Sequence, residues 1–181
     1  MEARDVGTRV HPSSSSPADR LAALGTQLIE IHQWLREELA LLRAGLAAGP
    51  APPGDGGRSR SLRAHCLSFC SALTRHHTGE DAGAFRVLAE QVPELRPVLE
   101  KLAQDHRLID GIVRRIEELV AAPLADDPAA AARVLAELDG LTAVVESHFG
   151  FEERRIVAAL DALRGDAGSV DELLGLRPPD W

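Results

Sequence analysis

The chain has 181 residues, enough for one domain with its own core. A formal net charge of −8 excludes nucleic acid as its main partner, because phosphate binding needs clustered Lys and Arg. Aromatic residues make up only 3% and there is no Tyr, which removes a tyrosyl radical or phenolate ligand from consideration and, with abundant Ala, Leu and Val, favours an all-α chain.

Residues 1–17 contain Gly, Pro and a run of four serines, and they read as a disordered tail without the apolar core of a secretory signal. An apolar stripe then begins at Ala18 and steps by three and four through Leu24, Leu28, Ile31, Leu35, Leu39, Leu42 and Leu46, predicting a helix that ends near Ala48. Residues 49–57, GPAPPGDGG, form a linker. A second helix is predicted from Ser59 to Gln91, with Leu62, Phe69, Leu73 and Val87 on its stripe, stopped by Pro93. The third helix has Pro97 in its first turn and carries Leu99, Leu102, Ile109, Val113, Ile116 and Val120. After a break at residues 121–127, Asp127 is a candidate N-cap and Pro128 a first helical residue. The fourth helix runs to about Leu163 along Leu135, Leu138, Leu141, Val145, Ile156 and Leu160. Residues 164–181 read as a tail with one weak helical turn, Val170 to Leu174. Four such helices predict an all-α, antiparallel up-down-up-down four-helix bundle over residues 18–163.

No apolar run approaches the ~20 residues of a membrane span, so no membrane partner is expected. Two cysteines, Cys66 and Cys70, make no secreted disulfide framework, and the chain reads as cytoplasmic. They share one side of a helix, where a buried apolar role is expected and a redox role is the alternative.

The placement of the histidines carries the chemistry. His32 lies within the first stripe, His76 and Glu80 lie one turn apart on the second, His106 continues the third, and His148 and Glu152 interrupt the fourth. Burying a carboxylate without a partner costs several kcal/mol, a cost that a divalent cation removes. The i, i+4 spacing puts both side chains on one helix face. Sixteen residues separate His32 from Ala48, and sixteen separate Arg60 from His76, about 24 Å of helix in each case, so in an antiparallel pair the two rings share a level. A weak internal repeat aligns HHTGED at residues 76–81 with HFGFEE at residues 148–153. Together these predict two metals: His32 and His76 on one, His106 and His148 on the other, with Glu80 and Glu152 between them. Pairing His77 with Asp81 is the alternative reading of HHTGED, rotated about 100° from the seam. His65 lies about 16 Å up the helix from His76, too far for the same centre, and is expected to be a core or channel-lining residue. Asp81 and Glu153 are expected beside the ligands or in solvent, and Asp110, one turn after His106, as either a ligand or a nearby acid.

The string HFGFEERRI, the HHTGED segment and the lone histidines of the first and third helices resemble the hemerythrin-like (HHE cation-binding) family over about residues 20–163. The resemblance implies a four-helix bundle with a non-haem di-iron centre that binds dioxygen or a related small molecule. Its ligand motif falls on His32, His76, Glu80, His106, His148 and Glu152. Oxygen carriers of this family place a second histidine one turn after the first on the third helix, where this chain has Asp110. Harder oxygen donors favour the ferric state, so sensing of, or reaction with, dioxygen, peroxide or nitric oxide is expected ahead of reversible carriage. The rival expectation is a di-iron oxidoreductase, peroxidase- or catalase-like or an oxygenase, acting on a small organic substrate. A pocket beside the metals would favour that rival. Manganese or zinc would also suit these ligands.

Overall fold

A computed structural model describes residues 24–49, 56–121, 128–165 and 167–177. The predicted N-terminal tail, the Asp127 cap and most of the first linker lie outside these residues. The described chain is all-α: α1 (Leu24–Ala47), α2 (Gly56–Ala82), α3 (Ala84–Gln91), a 3₁₀ turn (Pro93–Leu95), α4 (Arg96–Ala121), α5 (Pro128–Asp161) and α6 (Val170–Leu174). No described helix is long and apolar enough to cross a membrane.

The four long helices close a ring in which each packs on two others: α1 on α2 and α5, and α4 on α2 and α5. The stripes explain this arrangement. All seven predicted positions of α1 and all six of α4 are buried. On α5 the buried series is Val134, Leu138, Leu141, Val145, Phe149, Ile156 and Leu160, with Leu135 only partly covered. Removing such side chains from water at about 25 cal/mol per Å² supplies most of the drive to assemble.

Polar pairs fix the register of α1 against α5. Arg43 reaches Asp139 (2.7 Å), Arg36 reaches Glu146 (3.0 Å), and the Gly25 amide at the start of α1 donates to Asp161 at the end of α5 (2.8 Å). That last contact satisfies one of the amides that a helix start leaves open.

The expected continuous second helix is broken at Gly83, which sits between α2 and α3 with φ −110° and ψ −86°. The cause is the C-terminal segment. A Cβ at Gly83 would lie 2.3 Å from the Glu172 carbonyl oxygen, so the backbones touch where only glycine fits. Residues 167–177 are thus packed on the bundle, and Leu173, Leu174 and Leu176 are buried.

Candidate metal centre

Each long helix delivers polar side chains into the apolar middle of the ring. His32 comes from α1; His76, His77 and Glu80 from α2; His106 from α4; His148 and Glu152 from α5; and all seven are buried. The Nε2 atoms of His32 and His76 are 3.1 Å apart, as are those of His106 and His148. Glu80 spans the two pairs, with one oxygen 3.4 Å from His76 Nε2 and the other 3.5 Å from His106 Nε2. Glu152 mirrors it: its Oε2 lies 3.5 Å from His32 Nε2 and 3.4 Å from His148 Nε2.

The outer ring nitrogens determine what the inner ones can do. His32 Nδ1 donates to Glu153 (2.9 Å), His76 Nδ1 to the Leu174 carbonyl (2.9 Å), and His106 Nδ1 to Asp81 (2.9 Å). A neutral imidazole has one ring proton. With that proton on Nδ1, the Nε2 atoms of His32 and His76 present bare lone pairs to each other at 3.1 Å. Two lone pairs at that distance repel unless a cation lies between them. Two nitrogen donors about 2.1 Å from a metal and 90° apart would themselves be about 3.0 Å apart.

The carboxylates make the same case. Both oxygens of Glu80 and of Glu152 are buried without a hydrogen-bond partner, as are His77 Nε2 and His148 Nδ1. Native proteins rarely leave so many buried polar atoms unsatisfied in one place. Burial pushes the Glu152 carboxyl up to about 8 and Glu80 well above its usual range. Burial also lowers His76 to about 4 and His148 to about 3, and holds His32 and His77 well below the ordinary histidine value. These four imidazoles are therefore neutral and ready to ligate near pH 7. A cation would supply the charge that keeps the carboxylates ionised.

Three donor groups have ligand atoms mutually within 4.8 Å: His32, His76 and Glu80; His77, His106 and His148; and Glu80, His106 and Glu152. All six residues of the expected ligand set are brought together. Glu153 and Asp81 hold the outer nitrogens of His32 and His106. Arg36 also donates to Glu153 (3.0 Å), tying that carboxylate in place. Phe149 stacks on His32 with ring centroids 3.8 Å apart.

The residue that sequence reasoning underweighted is His77. It is buried, stacks parallel on His106 at 4.1 Å and joins that ring's donor group. The signal was present in the HH pair, which puts adjacent imidazoles toward two neighbouring helices. Asp110 stands apart from the donor groups; it pairs with Arg114 and lines a cleft between α2 and α4. His65 is half-exposed and paired with Glu38, in place of the expected core or channel position. Cys66 and Cys70 are buried free thiols.

The cleft has a volume of about 280 Å³. Leu73, Ile109 and Val113 supply its apolar wall, Thr74, Thr78 and Asp110 its polar lining, and His77 and His106 join it to the histidine and glutamate cluster.

The hemerythrin HHE cation-binding domain model matches residues 25–160. No curated protein and no solved structure matches the chain significantly. The matched span holds every ligand candidate and most of the chain, so this protein belongs to the hemerythrin HHE cation-binding domain family.

Proposed function

We propose that this chain holds two iron ions and binds, senses or reacts with dioxygen, peroxide or nitric oxide. The observation that carries this reading is the pair of facing Nε2 contacts, 3.1 Å each, spanned by Glu80 and Glu152, whose oxygens have no other partner. His32 and His76 would hold one metal, His77, His106 and His148 the other, and the two glutamates would bridge them. The opposed order of the α1–α5 polar pairs supports an antiparallel up-down-up-down course for the four long helices. When bound, the iron pair supplies reversible electron transfer to a small oxygen or nitrogen ligand. The protein's own residues orient the imidazoles through Glu153, Leu174 and Asp81 and keep water away with Phe149 and the apolar stripes. The expected surroundings are cytoplasmic, with no nucleic-acid or membrane partner.

The cleft beside His77 and His106 favours a second reading, a di-iron oxidoreductase acting on a small organic substrate, because 280 Å³ exceeds what a diatomic ligand needs. One experiment tests both. Protein loaded anaerobically with ferrous iron is mixed with dioxygen, hydrogen peroxide or nitric oxide, with and without a small phenolic reductant. The visible spectrum should change with at least one of the three; no change with any contradicts the proposal. Multiple turnovers of the phenol that Thr74→Trp suppresses, with the spectral change retained, would establish the enzyme reading. Absence of turnover leaves binding or sensing as the function.

A further inference from the structure

The C-terminal segment, beyond the matched span of residues 25–160, makes a direct contact with a ligand candidate. We propose that residues 169–177 form a clasp that orients His76 for metal binding, so that one metal position depends on a segment outside the family domain. The role is one of positioning, and the contact is the hydrogen bond from His76 Nδ1 to the Leu174 carbonyl.

The segment is built to present that carbonyl. Ser169 and Glu172 form a capping box that starts α6, and Gly175 ends it in the left-handed region at φ 67°. Leu173 and Leu174 are buried beneath it. The segment also meets α2 backbone to backbone. A Cβ at Gly79 would lie 2.2 Å from the Gly175 nitrogen, and one at Gly175 would lie 2.0 Å from the Arg75 carbonyl oxygen. Arg75 Nη2 also donates to the Gly175 carbonyl at 3.2 Å. Farther back, Gln91 exchanges two hydrogen bonds with the Arg164 backbone, anchoring the approach to the clasp.

The chemistry of this contact differs from that at the other rings. His32 and His106 give their outer proton to carboxylates, and His148 Nδ1 lies 3.7 Å from the Asp105 carboxylate. A carboxyl group can accept a proton or, once protonated, donate one. A backbone carbonyl only accepts. His76 is therefore held with its proton on Nδ1 and its lone pair on Nε2, toward His32 and Glu80.

The test uses full-length protein labelled with ¹⁵N at histidine, first metal-free and then titrated with Co²⁺. Wild type should show a His76 ring protonated at Nδ1, with that proton protected from solvent exchange. Gly79→Ala forces a methyl into the α6 backbone, and it should lose the protection and weaken one of two cobalt positions by about 10–100-fold. Gly140→Ala, whose added methyl meets nothing within 4 Å, should leave both properties unchanged. A wild-type His76 ring protonated at Nε2 overturns the proposal, and so does Gly79→Ala with wild-type protection and affinity. The wild-type ring assignment needs no variant and decides the case should Gly79→Ala fail to fold. The cobalt arm rests on the metal reading above. Wild type that takes up no cobalt would count against that reading, while the ring assignment would still decide the clasp.

Discussion

At the scale of single residues, burial favours the neutral forms of Glu80, Glu152, His32, His76, His77 and His148. The unfolded chain takes protons onto histidine below the ordinary value of 6.5, whereas folded His76 and His148 resist to about 4 and 3. Their contribution to stability is therefore lost as pH falls from 6.5 toward those values. For Glu152 the sign is opposite: the unfolded carboxyl releases its proton near 4.5 and the folded one near 8, so its contribution is lost as pH rises through that interval. Glu80 acts in the same direction. The two effects oppose each other below 6.5, and only the carboxyls act above it. Metal-free protein should lose stability between pH 6.5 and 8, by at most about 1.4 kcal/mol per pH unit for each carboxyl. Metal-loaded protein, whose carboxylates are ligated as anions, should not. Denaturant titrations at several pH values, with chelator and with metal, check this; a flat metal-free profile would contradict it.

At the scale of elements, α2 shows what periodicity conveys and what it conceals. His76 and Glu80 were legible because residues one turn apart share a face. His77 was less so, because a turn of about 100° looks like departure from the seam. In a ring of four helices, however, each helix has two neighbours roughly a right angle apart. His76 turns to His32 on α1, and His77 to His106 on α4. That geometry brings a second imidazole from α2 to the His106 and His148 pair, while α4 carries Asp110 one turn after His106. His77→Ala should therefore weaken the metal held with His106 and His148 by tenfold or more and leave the other in place. Isothermal titration with Co²⁺ would show one weakened position; two positions of wild-type affinity would contradict the assignment. The break at Gly83 was not legible, since it arises from contact with Glu172, about ninety residues later in the chain.

Across the whole molecule, the all-α fold and the six-residue donor set could be read from four apolar stripes with polar interruptions. Those interruptions are conspicuous because an apolar seam tolerates buried carboxylates only where something neutralises them. The outer contacts were harder to read. Asp81 and Glu153 each follow a candidate ligand, Glu80 or Glu152, by one position, which gives no indication of the ring they will hold, and Leu174 acts through its backbone. The weak turn at Val170–Leu174 was visible as a turn; its docking depends on Gly79 and Gly83 meeting it across the fold. Two halves of the ring thus converge on one buried cluster, and the central claim is that this cluster holds a pair of metals. The most direct measurement is iron per chain after anaerobic loading with ferrous iron and removal of excess, read by elemental analysis against protein concentration. The account predicts about two irons per chain, falling below one in Glu80→Ala/Glu152→Ala protein that keeps its helical content. Wild-type protein holding fewer than about one iron would contradict it.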